Sequence, residues 1–180
     1  MAIRKILTEP NKILREKSLR VENMSKDIQK LMDDMLETLY AAPGIGLAAI
    51  QVGVAKRVIV MDINRGRDKD KEPKKNPMYF VNPEITWKSE DQFTYEEGCL
   101  SVPNQFAEIE RPKQCQVKHL DYNGNPQELK ADGLLATCIQ HEIDHLEGIL
   151  FIDYLSKLKK EMIIKKLSKQ KKENMERIVV

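Results

Sequence analysis

Apolar residues recur at Ile28, Leu31, Met32, Met35, Leu36 and Leu39, with polar residues between them. That series lays one hydrophobic stripe along an α-helix. Ser25 is placed to accept the first free backbone N–H, Asp27 suits the positive helix end, and Pro43-Gly44 stop the run, so a helix is predicted over 25–41. The pattern then changes. Residues 57–63 are nearly continuously apolar, as in a buried strand. Residues 65–77 are charged, almost devoid of apolar groups, and predict an exposed, mobile loop. Short β-like pieces follow at 79–83, 84–88, 93–96, 107–110, 114–120 and 127–129, with a turn signal in Asp121-Tyr122-Asn123-Gly124-Asn125. Helical spacing returns between Asp132, read as a cap, and Gly148, read as a stop. Its apolar face is Ile139, Ile143 and Leu146. A last amphipathic helix is predicted from about Tyr154, with Leu155, Leu158, Met162, Ile163 and Leu167 on one face. Strands in series with separate helices predict an α+β fold. We expect one domain over 1–180, its short, mostly antiparallel strands packed around the helix at 132–148.

Composition narrows the class. Hydrophobic residues make up 41% and charged residues 32% of 180, which fits a folded, soluble domain with a real core. The opening residues lack the apolar stretch of a secretory signal, and no apolar run reaches membrane-helix length. Three cysteines (Cys99, Cys115, Cys138) fit a reducing interior, with thiols free or on metal. Net charge is +2, but residues 156–180 hold nine Lys/Arg against three Glu, a net +6 that leaves −4 for the rest. A mildly acidic body therefore carries a basic tail.

The chemistry concentrates in Gln140-His141-Glu142-Ile143-Asp144-His145. Helix positions i and i+4 lie about 5–6 Å apart at Cβ, so His141 and His145 can converge on one ion. Glu142 is turned about 100° from His141, wrong for a third ligand but within reach of a water beside the metal. His119 stands alone in a strand-like stretch and reads as structural. A third protein ligand is expected, with a fourth position left open. Glu147 falls on the wrong turn, and Cys115 reads as a small buried side chain. Cys138, one turn before His141, would crowd a tetrahedral centre. Cys99, in Glu97-Gly98-Cys99-Leu100-Ser101, follows a glycine that permits close backbone approach, and chemistry prefers it.

Three segments then resemble the signatures of peptide deformylases: Gly44-Ile45-Gly46-Leu47-Ala48-Ala49-Ile50-Gln51, Glu97-Gly98-Cys99-Leu100-Ser101 and Gln140-His141-Glu142-Ile143-Asp144-His145-Leu146. They stand in that family's order, and the first helix and Asp132-Gly133-Leu134-Leu135-Ala136 resemble it too. The resemblance implies metal ligation by Cys99, His141 and His145, with Glu142 as general base and acid. It implies oxyanion donors at the Gln51 amide and the Leu100 N–H. Ile45 and Gly46 would meet the peptide, and Leu134 and Cys138 would line the methionine pocket. Glu97, Arg111 and Asp144 would form an ion-pair network orienting a ligating histidine. The ion implied is Fe²⁺, with Zn²⁺, Ni²⁺ or Co²⁺ able to replace it. The implied reaction takes formate from the N-formylmethionine of nascent chains in a bacterial-type cytoplasm. The basic tail would approach ribosomal RNA, or else is a solvated helix face. The family's pattern departs at Phe106, where many bacterial members carry an arginine that grips the substrate backbone. Two other readings share the histidine helix: a different metallopeptidase or amidohydrolase, and a structural metal site in a binding module. The first leaves the glycine-rich segment and Cys99 unexplained, and the second needs four protein ligands.

Overall fold

The computed structural model describes residues 2–64 and 75–178, with side chains described as far as 173. The expected loop at 65–77 therefore lies mostly outside the described residues.

Five strands form one antiparallel sheet. In spatial order they are β1 (Gly46–Ala48), β2 (Val58–Met61), β3 (Met78–Lys88), β6 (Gln114–Leu120) and β7 (Pro126–Asp132). β4 (Gln92–Cys99) and β5 (Val102–Pro112) make a separate antiparallel hairpin. The helices are α1 (Lys26–Ala41), α2 (Gly133–Leu146) and α3 (Lys157–Ile178). No helix among the described residues is long and apolar enough to cross a membrane.

The α+β expectation holds, with one refinement: the five-stranded sheet lies between two helices. Side chains alternate across a strand. Ile59 and Met61 of β2 join Phe80, Cys115 and Val117 against Ala136, Cys138, Ile139 and Leu146 of α2. Val58 and Val60 join Leu47 and Val81 against Leu31, Met32, Met35 and Leu39 of α1. Burial on both faces explains why β2 is a continuous apolar run. Ser25 caps α1 from just ahead of it, its hydroxyl accepting from the Ile28 N–H.

Three local readings need correction. The pieces at 79–83 and 84–88 are one strand, because a bulge at Asn82-Pro83 absorbs the missing proline donor. Asn82 sits at φ 51° there, held by both halves of its amide on the Val21 backbone. Asp132 occupies the N-cap position of α2 without capping it, and accepts instead from Gln114 Nε2 at 2.9 Å. The last helix starts later than Tyr154, after a 3₁₀ turn at Phe151–Tyr154. Its packed face is Ile163, Ile164 and Leu167, against Val102, Ile109 and Phe151. Leu158 (69% exposed) and Met162 (63% exposed) face outward, because the stripe follows the hairpin it covers rather than helical spacing alone.

Gly148 ends α2 at φ 74°, and a side chain there would run into the Arg15 backbone carbonyl.

Candidate metal centre and substrate cavity

α2 presents His141 and His145 one turn apart, their ring centroids 5.0 Å from each other. Both rings are buried. Cys99 comes from the end of β4, where the pairing shifts between Gly98 and Cys99 and turns the chain toward α2. Its Sγ lies 3.2 Å from His145 Nε2. One ligand atom from each of Cys99, His141 and His145 falls within 4.8 Å of the other two. Tetrahedral bonds of about 2.0–2.3 Å require ligand atoms roughly 3.3–3.6 Å apart, so the three fit a single ion with little movement. Cys138 stays out of this cluster; its thiol is buried, and burial with Glu142 and Glu97 nearby pushes its pKa well above the ordinary value. Cys115 is buried in the sheet with its pKa raised to about 11 by burial, and His119 packs on Phe80 at 4.3 Å.

A charged network holds the first histidine. Glu97 Oε2 meets His141 Nδ1 at 2.7 Å, which leaves Nε2 for the cluster. Arg111 donates to Glu97 through Nε at 2.5 Å and through its second amino group at 3.0 Å. It also donates to Asp144 at 2.8 Å. Burial works against the Glu97 carboxylate, but His141 and Arg111 outweigh it and keep its pKa below the usual value. Burial likewise opposes a charged His141, yet Cys99 and Glu97 hold its pKa well above the ordinary histidine value. His145 goes the other way: burial, then the charges of His141 and Arg111, push its pKa well down.

Glu142 sits beside the cluster with Oε2 buried and without a hydrogen-bond partner among the described residues. Burial raises its pKa to about 7, against the lowering effect of His141. The close neighbour is Gly46, where a Cβ would stand 2.5 Å from Glu142 Oε1 and 3.0 Å from Cys138 Sγ. Only glycine leaves that carboxylate its place.

Gln51 is buried in the 3₁₀ turn after β1. Its Oε1 accepts from the Ala48 N–H at 2.8 Å, which fixes the amide's orientation. Its Nε2 donates to Ser101 Oγ at 3.0 Å and lies 3.5 Å from Cys99 Sγ. These groups border a cavity of about 510 Å³. Ile45, Gly46, Gln51, Glu97, Cys99, Leu100, Leu134, Cys138, His141 and Glu142 line it, while His145 contacts Cys99, and Arg111 joins Asp144 to Glu97, without lining it themselves. The site residues expected from sequence are thus brought together.

Sequence reasoning missed four contributors. Ser101, fully buried, receives the Gln51 amide and donates its N–H toward Cys99 Sγ at 3.4 Å. Tyr154 donates to Asp144 at 2.8 Å and stacks under Arg111, extending the network. Leu7 and Glu9 bind the carbonyls of Gln51 and Ser101 at 2.7 and 2.9 Å. Ser101 lay inside a recognised motif, whereas residues 2–10 have no periodicity to read.

A thiol and two imidazoles able to hold one ion, with a buried carboxylate beside them at a cavity, are the arrangement of a metal-dependent hydrolase. Comparison with known proteins narrows this. The family model described as polypeptide deformylase matches residues 3–161, and the chain belongs to that family. It is 69% identical over 171 residues to the peptide deformylase of Pelagibacter ubique, covering 95% of this chain and 96% of that one. The peptide deformylase of Phenylobacterium zucineum is 57% identical over 172 residues, 96% and 99% of the two chains. Among solved structures, the peptide deformylase of Ehrlichia chaffeensis in complex with actinonin superposes with a TM-score of 0.88 at 46% identity, covering 94% and 98%.

Proposed function

We propose that this chain, acting as one catalytic domain, removes the formyl group from N-terminal formylmethionine of nascent polypeptides and releases formate. The observation that carries the reading is the cluster of Cys99, His141 and His145 beside the Glu142 carboxylate, whose Oε2 has no hydrogen-bond partner among the described residues. Family membership supplies the substrate class. The ligands are Cys99, His141 and His145, with Fe²⁺ as the native ion; a thiolate with two imidazoles also suits Zn²⁺, Ni²⁺ or Co²⁺. When bound, such an ion supplies Lewis acidity and makes a neighbouring water easier to deprotonate.

The remaining steps belong to side chains. Glu142 takes a proton from the attacking water onto its free oxygen and later passes it to the leaving nitrogen of methionine. The Gln51 amide and the Leu100 N–H donate to the formyl oxygen as it gains charge, each contributing about 2.7–4 kcal/mol to the transition state. Ile45 and Gly46 bind the extended peptide backbone. Leu134 and Cys138 border the methionine side chain, and burial keeps that thiol protonated. Glu97, Arg111 and Asp144 orient His141 through the bonds described above.

Glu142→Gln is expected to keep its metal and its melting temperature while formate release falls about 10²–10⁴-fold. Loss of metal and fold together would favour a structural metal site. Equal turnover of formyl-Met-Ala-Ser and acetyl-Met-Ala-Ser by the unmodified protein would favour a broader amidohydrolase.

A cytoplasmic location follows from the substrate. The lysines of α3 also fit contact with ribosomal RNA, whose phosphates they would neutralise. Changing Lys165, Lys166, Lys169, Lys171 and Lys172 to Gln should weaken ribosome co-sedimentation at low salt and spare turnover of the tripeptide. Unaltered co-sedimentation would reject that contact.

A further inference from the structure

A second depression of about 580 Å³ lies between β5 and α3. Gln105 and Phe106 line both it and the catalytic cavity, so the two depressions adjoin at the Phe106 ring. Phe106 is 66% exposed, and its ring lies so close over Gly98 that a Cβ there would meet it at 2.6 Å. The floor beyond is Leu155 and Ile163, and the outward-facing Met162 forms one wall. Lys159 and Lys166 flank the groove, with Glu108 the one carboxylate lining it among the described residues.

We propose that this groove takes the part of the substrate polypeptide downstream of the residues held at Gly46. It would favour segments that combine apolar and acidic side chains. The inference rests on the deformylation reading and extends it. A nascent chain is longer than the catalytic cavity, and an extended chain advances about 3.3 Å per residue, so it must leave over the rim. At Phe106 the rim is apolar and leads into a further apolar trough. Aromatic and methionine side chains there give adaptable contact area without demanding one sequence. The two lysines against one glutamate give the trough a positive bias, complementary to acidic side chains.

The test compares formyl-Met-Ala-Ser with two formyl decapeptides that share those first three residues. One carries Leu and Glu after them, the other Ser and Lys. The Leu/Glu peptide is expected to show a KM about tenfold below that of the tripeptide, the gain from partly burying one or two apolar side chains, with kcat unchanged. The Ser/Lys peptide should match the tripeptide. Met162→Asp should erase the gain and leave tripeptide turnover intact, since Met162 lies outside the catalytic cavity. The double variant Lys159→Glu/Lys166→Glu should reduce the Leu/Glu preference. Equal KM for all three peptides would overturn the groove while leaving deformylation standing. Failure to release formate from any of them would overturn deformylation itself. Sedimentation showing a concentration-dependent dimer that Met162→Asp abolishes would assign the groove to a second copy of the chain and also overturn the proposal.

Discussion

Replacing Arg111 with leucine tests the network behind His141. Arg111 is 3% exposed and bridges Glu97, itself buried, to Asp144. Leucine fills part of the space but leaves the buried Glu97 carboxylate with His141 as its remaining partner and removes the guanidinium from both Glu97 and Asp144. Removing one partner of a buried ion pair costs about 3–5 kcal/mol. For a chain of this size each kcal/mol moves the melting temperature by about 2–4 °C, so the fall should be about 6–20 °C. The site should respond as well. Glu97 holds His141 Nδ1 at 2.7 Å, and loss of such an outer partner typically weakens metal affinity about 10–100-fold. Circular dichroism gives the first quantity, and competition with a chelator gives the second. The double variant Arg111→Leu/Glu97→Gln removes the stranded charge and should recover more than half of the lost stability. A melting temperature within about 2 °C of the parent for Arg111→Leu would mean that the buried carboxylate does not need the guanidinium. Equal losses in the single and double variants would assign the cost to packing instead.

Two other substitutions probe separate parts of the molecule. Gly46→Ala places a methyl 2.5 Å from Glu142 Oε1, so kcat for formate release should drop at least about tenfold while the sheet stays folded; an unchanged kcat would mean that the carboxylate can act from another position. Asp34 is buried, and although burial opposes its charge, hydrogen bonds from Lys30, Arg4 and the Ala2 N–H lower its pKa from 3.8 to about 2. Its contribution to stability is therefore complete above about pH 4 and lost as pH falls toward 2. Asp34→Asn should lower the urea midpoint at neutral pH and flatten its decline across that acid range, and parallel acid profiles for the two proteins would contradict this.

Much of this fold is legible where one physical rule dominates. Ser25 and the stripe from Ile28 to Leu39 specify α1 because a cap and a 3.6-residue period agree. The spacing of His141 and His145 identifies the centre because few other roles need two imidazoles one turn apart. Tertiary contacts decide the rest. Nothing local says that Asn82-Pro83 is a bulge rather than a break, since the Val21 backbone that stabilises it is distant in sequence. Leu158 and Met162 match a buried stripe by period, and only the position of β5 determines that they face out. Ser101 was hidden for a different reason: a hydroxyl's role depends on which amide reaches it, and Gln51 comes from another segment.

The strap formed by Leu7 and Glu9 has a practical corollary. Their backbone N–H groups hold the carbonyls of Gln51 and Ser101, the residues that flank the Cys99 cluster. Fusion partners, surface linkers or affinity handles attached close ahead of them would tug directly on the reaction centre. The far end of α3 offers a gentler point of attachment, and immobilised preparations tethered there should keep turnover that front-tethered ones lose.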